Sequence, residues 1–273
     1  LEITLKIGRK SYKADLENPI DISIPLNFYG EQPNAYDADK ASAKPVETGN
    51  FIGDTRMGGS CNFEEYKFIP HCNGTHTECV GHIADERISI HDTLKDTFIP
   101  ALLVSVYPER AFDSVDIYSP IKEESDMLIS RKVLEDVLKN TDIDFHKALI
   151  VRTLPNDESK KSKRYMEHPH PFFSIDAMSY VKSLGVKHLL IDTPSIDRMF
   201  DEGYLSAHHI FWEVEEESHD VDKNNHSLNT VTEMIYVPDD VHDGNYLLNL
   251  QITGFIADAS PSRPVLIKLK SEN

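Results

Sequence analysis

The chain has 273 residues, 40% of them hydrophobic, with 28 basic against 46 acidic side chains and a formal net charge of −18. Such a field repels phosphate backbones and sets nucleic acid aside as a partner, and no apolar run reaches the roughly 18 residues of a transmembrane helix. Three cysteines, Cys61, Cys72 and Cys79, are too few and too odd for a disulfide framework, which points to a reducing, cytoplasmic setting. Nothing after Leu1 has the form of a signal peptide.

Along the chain, Ile20-Asp21-Ile22-Ser23-Ile24 alternates strictly and predicts a half-buried strand that Pro25 ends. Residues 30–60, rich in Gly, Pro, Asn and Asp, predict a long irregular segment over a surface or a site. Residues 98–107, with Ala-Leu-Leu-Val-Ser-Val at their centre, read as a buried strand. Apolar residues at 133, 134, 137 and 138 predict a short helix. Ala148-Leu149-Ile150-Val151 is continuously apolar, as expected of a strand covered on both faces. Ser174 can cap a helix carrying Ala177, Met178, Val181 and Leu184, which Gly185 ends. A second strand follows at 186–191, so the middle of the chain reads as a right-handed β-α-β crossover. Strands return at 234–237, 246–255 and 265–269. The expectation is a mixed α/β fold in a single domain over residues 1–273, its mixed sheet built around that β-α-β middle. Two charged inserts, 157–164 and 213–229, read as solvated loops.

The densest chemistry lies in Cys72-Asn73-Gly74-Thr75-His76-Thr77-Glu78-Cys79-Val80-Gly81-His82. Cys72, His76, Glu78 and His82 are separated by even numbers of residues, so extended backbone would turn all four to one face. Thiol, imidazole and carboxylate are the side chains that bind zinc and similar ions. Gly74 would allow a bend or a close backbone approach. Cys79 has the opposite parity and reads as a small packed hydrophobe. A one-residue bulge would present His71 in place of Cys72, though Cys72 aligns without a gap.

These residues resemble the motif His-x-Gly-Thr-His-x-Asp-x-Pro-x-His of the cyclase-like metal hydrolases, the family of bacterial kynurenine formamidase and isatin hydrolase. Gly74, Thr75, His76 and His82 match it; Cys72 stands for the first His, Glu78 for the Asp and Val80 for the Pro. The resemblance extends over roughly residues 19–270. It takes in the strand at 20–26, Phe173-Ser174 with its helix, Ile191-Asp192-Thr193-Pro194-Ser195-Ile196-Asp197, Ala207-His208-His209 and Thr232-Glu233-Met234. It implies a single domain of the swivelling β/β/α type and a homodimer or homotetramer. It also implies a zinc or manganese site and hydrolysis of an aryl formamide, amide or cyclic amide by metal-bound hydroxide. The positions that carry over are Cys72, His76 and Glu78 as direct ligands. His82, His208 and Glu233 carry over as ligands of a second ion or proton-transfer groups.

The substitutions alter that chemistry. A thiolate at Cys72 would favour zinc over manganese and weaken the ion's pull on water. Glu78 adds one methylene, about 1.5 Å of reach, over the family's Asp. His82 and His208 are the candidates to protonate a departing amine, since imidazole titrates near neutrality. The competing reading is a metal-free relative that keeps the fold and pocket as a small-molecule binding or structural protein.

Overall fold

The computed structural model describes residues 1–272. Its main sheet has eleven strands. In chain order they are β1 (Glu2–Ile7), β2 (Lys10–Asp15), β3 (Ile20–Asp21), β4 (His76–Glu78), β5 (Phe98–Val106), β6 (Ala148–Thr153), β7 (His188–Ile191), β8 (Thr230–Glu233), β9 (Gly244–Asn249), β10 (Ala259–Pro261) and β11 (Val265–Glu272). Across the sheet the order is β1-β2-β11-β9-β5-β6-β7-β8-β4-β10, with β3 also pairing β11. β5, β6, β7 and β8 run parallel, and both flanks are antiparallel.

The side-chain period of two sorts the central strands into two cores. Leu149 and Val151 join Leu102, Val104, Leu189 and Ile191 on one face. That face is covered by α1 (Arg131–Leu138), α2 (Ile175–Ser183) and α3 (Ser206–Trp212). Ala148 and Ile150 turn the other way, onto Ala101, Leu103, Leu190, Leu248 and Leu266. Every residue of β6 is buried, and its apolar run Ala148–Val151 is covered on both faces as expected. Ser174 caps α2 by accepting from the Ala177 N–H at 3.0 Å, and Gly185 leaves it at φ +74°. The predicted β-α-β middle is therefore present, with β6 and β7 parallel in the register Ala148 to His188. The fold is one α/β domain with a large mixed sheet and few helices. Among the described residues no helix is long and apolar enough to cross a membrane.

Four expectations are corrected. No strand forms at 234–237: β8 ends at Glu233, and Met234 sits at φ +52° with its N–H given to Thr193 O at 2.9 Å. Only Ile20–Asp21 of the first alternating run is strand, although Ile22 and Ile24 still point inward. Residues 30–60 are less irregular than expected, because Ser42–Pro45 pairs with Glu64–Lys67, and Glu47–Thr48 with Phe51–Ile52. The charged inserts are not simply solvated. Lys160 reaches the fully buried Asp192 at 2.8 Å, and His219 of the second insert docks through Nδ1 on Ile83 O at 2.7 Å.

Candidate metal centre

β4 carries the heart of the site. It is held on both edges, with His76 opposite Glu233 of β8 and Pro261 of β10. Within it the parity argument holds: His76 and Glu78 share a face, while Thr77 turns away and pairs with Thr232 Oγ1 at 2.8 Å. Thr75 fixes the entry to the strand, accepting from Ile24 N–H at 2.7 Å and donating to Met234 O. Gly74 is extended at φ 172°, and the nearest atom to an added Cβ would be 3.9 Å away, so the bend expected there is not formed. Gly81 is the glycine the turn requires, because a Cβ there would lie 2.1 Å from Ile88 O.

Upstream of His76 the parity argument fails. Pro70 opens a helical turn over Pro70–Asn73, locked by Ile69 N–H donating to Asn73 Oδ1 at 2.7 Å. A helical turn advances side chains by about 100° rather than 180°, which changes the residue that faces the cluster. His71 enters it and Cys72 does not. Among the described residues, three sets of donors come within 4.8 Å of one another: His71, His76 and Glu78; Glu78, His208 and Glu233; and His71, His82 and Asp258. Cys72 belongs to none of these, and burial, with Glu233 nearby, pushes its thiol up to about 11. Cys79 is packed, fully buried, against Ile88 O.

The remaining residues singled out from the sequence converge. His76, Glu78, His208 and Glu233 are all buried, whereas the side chains of His71 and His82 are 23% and 27% exposed. Glu78 sits at the centre, with Oε1 2.8 Å from His208 Nε2 and Oε2 3.0 Å from His71 Nδ1. Glu233 lies 3.3 Å from His76 Nε2 and 3.7 Å from His208 Nε2, and it also accepts from Ile196 N–H at 3.0 Å.

Two further carboxylates, not marked by the sequence pattern, complete the cluster. Asp197 accepts from His208 Nδ1 at 2.6 Å and from the N–H groups of Ala207 and His208, so it orients the imidazole and caps α3 together. The run Ile191–Asp197 belongs to the family resemblance, but only tertiary contacts give Asp197 this role. Asp258 lies against His71 and His82. No sequence pattern marks it.

The electrostatics follow from crowding. Burial works against charge on Glu78, yet the imidazoles of His82 and His208 hold it well below the usual carboxylate range. Burial, and then the charge of Glu78, push Glu233 above that range. His208 is held well above the ordinary imidazole value because Glu78 and Asp197 outweigh its burial. For His71, burial is likewise outweighed by Asp258 and Glu78, which push it up to about 10. Asp258 is held far below the usual range by its contacts with His71 and His82.

Whether a cation fits is decided by two nitrogens and an oxygen. His76 Nδ1 faces Gly74 O at 3.0 Å, and a carbonyl only accepts, so Nδ1 carries the proton. In the neutral ring, Nε2 then points a lone pair at the carboxylate of Glu233. That nitrogen is buried without a hydrogen-bond partner, and so is Glu78 Oε2, since His71 Nδ1, though 3.0 Å away, is not aligned for a hydrogen bond. Orphaned acceptors facing one another are costly unless something positive lies between them. His208 Nε2 is directed at both glutamates as well, and here it meets Glu78 Oε1 in a hydrogen bond of 2.8 Å. Imidazole nitrogens and carboxylate oxygens are suitable donors for zinc or manganese, so the residues present fit a divalent ion.

An α/β sheet with a histidine–glutamate cluster at the end of its parallel strands defines the class, and comparison with known proteins gives the family. Residues 15–198 match the Cyclase family model, described as "Putative cyclase". The chain belongs to that family of cyclase-like metal hydrolases. It is 26% identical over 255 residues to a kynurenine formamidase of Bacillus cereus strain ATCC 14579, covering 90% of this chain and 96% of the relative. The fold is similar to that of an isatin hydrolase solved with the product analogue thioisatinate, with TM-score 0.61, 13% identity and 93% of each chain covered. It is also similar to a potential metal-dependent hydrolase with cyclase activity, with TM-score 0.57, 15% identity, and 92% of this chain and 98% of that one covered.

Proposed function

We propose that the chain is a metal-dependent amidohydrolase that cleaves the C–N bond of an aryl formamide or a cyclic amide. The observation that carries this is the pair of orphaned buried acceptors, His76 Nε2 and Glu78 Oε2, aimed into one space between two glutamates. The relatives' names supply the substrate class. His71, His76, Glu78, His208 and Glu233 would hold one or two ions, with Glu78 placed to be shared. With Cys72 outside the cluster the donors are all nitrogen and oxygen, so the sulfur-based preference for zinc over manganese lapses. A divalent ion in such a site supplies Lewis acidity that lowers the pKa of water to about 7.

The protein's own groups divide the remaining work. Asp197 fixes His208 through Nδ1, leaving Nε2 committed to the glutamates and buried from substrate. His82 is the better proton donor to a departing nitrogen, because its ring is partly exposed and its Nε2 lies 3.9 Å from Glu78. Trp212, itself buried, packs on the other side with its ring tilted 5.0 Å from that of His208. Substrate therefore approaches from the side of His71 and His82, where the cluster reaches solvent. We further propose the swivelling β/β/α arrangement of the family and a homodimer or homotetramer. Exposed Tyr29, Phe63 and Tyr66 beside the 42–67 hairpins support the assembly, and a monomer by light scattering would sink it.

Metal analysis of purified chain, with hydrolysis assays on N-formylkynurenine and simple formanilides, tests the function. The expected result is about one or two divalent ions per chain and metal-dependent release of the aryl amine. No bound ion after reconstitution would remove the hydrolase; bound ion without turnover of any formamide or cyclic amide would remove the substrate class.

A further inference from the structure

Asp258 lies in no motif, yet its backbone is held on both sides. Cys79 N–H donates to Asp258 O at 3.1 Å, Ile90 N–H donates to Ala257 O at 2.8 Å, and Ala259 then opens β10 opposite Glu78. This places one carboxylate oxygen, Oδ2, 2.9 Å from His71 Nε2 and 3.4 Å from His82 Nδ1. The two imidazoles are stacked, with centroids 4.2 Å apart and planes at 26°. Each directs its other nitrogen toward Glu78 Oε2, His71 Nδ1 at 3.0 Å and His82 Nε2 at 3.9 Å. One acidic oxygen on the rim thus faces two rings, and both rings face one orphaned acidic oxygen in the interior.

We propose that Asp258 is the positioning residue of the metal centre. By accepting from the outer nitrogens it directs the inner nitrogens at the space beside Glu78, His71 Nδ1 to hold an ion and His82 Nε2 to pass a proton. The inference rests on the hydrolase reading above. It explains how the chain works without the family's first histidine. His71 is brought in by the helical turn one residue earlier, and a carboxylate from the far end of the sequence fixes its tautomer and ring plane. Carboxylates that hold ligating imidazoles in this way raise ligand basicity and commonly govern affinity. An ion seated instead on the rim, between His71, His82 and Asp258, would need the outer nitrogens deprotonated. It would also leave Glu78 Oε2 buried and unmatched. The inner placement satisfies both.

Cobalt titration of the metal-free chain tests this, with affinity and the visible absorption of bound cobalt as readouts. Asp258→Ala is expected to bind cobalt about 10–100-fold more weakly and to alter the absorption band, as a misaligned imidazole would. Asp258→Asn, which keeps an acceptor oxygen but loses the charge, falls between Asp258→Ala and the unsubstituted chain. The Asp258 side chain is 39% exposed. The melting temperature of each metal-free variant checks folding, and Asp258→Asn carries the test if Asp258→Ala does not fold. Unchanged affinity and spectrum in both variants, while His76→Ala loses cobalt, would overturn the role of Asp258 and leave the metal site standing. Failure of the unsubstituted chain to bind cobalt would overturn both.

Discussion

His76 and His170 are the same device built in two places. Each ring gives its Nδ1 proton to a nearby backbone carbonyl, Gly74 O at 3.0 Å for His76 and Pro171 O at 2.8 Å for His170. Each leaves Nε2 buried with no hydrogen-bond partner. The surroundings differ. His76 stands on a sheet strand with Glu233 at 3.3 Å, whereas His170 sits in the loop before α2 and makes no ion pair among the described residues. A lone pair without a partner therefore does not make a cation site. The carboxylates that face it do, and only the strand environment supplies them.

The largest effect expected from this contrast is on metal binding. His76→Ala should weaken cobalt or zinc affinity by more than the roughly 100-fold ceiling of an outer partner, and His170→Asn should leave it unchanged. Comparable losses in the two variants by competitive chelator titration would break the comparison.

The second effect is on stability against pH. Burial lowers His170 from 6.5 to about 4, so between those values the unfolded chain binds a proton that the folded chain refuses. The contribution is complete above pH 6.5 and is lost as pH falls toward 4, by up to about 3 kcal/mol. Urea unfolding at pH 7 and pH 4.5 reads it, and His170→Asn, which keeps a donor for Pro171 O, should flatten the slope. Identical slopes in the two proteins would count against a neutral His170.

Gly81→Ala sharpens the comparison from the turn side. Its Cβ would meet Ile88 O at 2.1 Å beside His82, and displacement of that backbone is expected to cost about 1–3 kcal/mol in urea unfolding. A wild-type midpoint would show that the turn yields freely. The smallest effect is expected at Cys72. Because it stands outside every group of converging donors among the described residues, Cys72→Ala should leave cobalt affinity unchanged. A loss like that of His71→Ala would return the thiol to the site.

These contrasts also show what could be read from the chain. β6, α2 and β7 were legible because burial on both faces and a serine cap are local signals. His76 and Glu78 were legible because a strand alternates, and His208 through the resemblance of Ala207-His208-His209. His71 was open only as an alternative, since choosing it over Cys72 needs the helical turn that Pro70 begins. Met234 ends β8 early because its N–H goes to Thr193, a partner supplied by tertiary structure. Asp258 was beyond reach: it meets His71 across 187 residues of sequence, and only the pairing of β10 with β4 brings them together.

Glu78 and Glu233 have a consequence for the whole domain. Two buried acids share His208 between strands that pair directly with one another, so two carboxyl groups meet across the seam joining β4 to β8. An ion bound there would act as a rivet in the sheet. By mass action, free ion at one hundred times its dissociation constant adds about 2.7 kcal/mol to folding. A chelator would then lower the unfolding midpoint of the ion-loaded chain as well as strip the site.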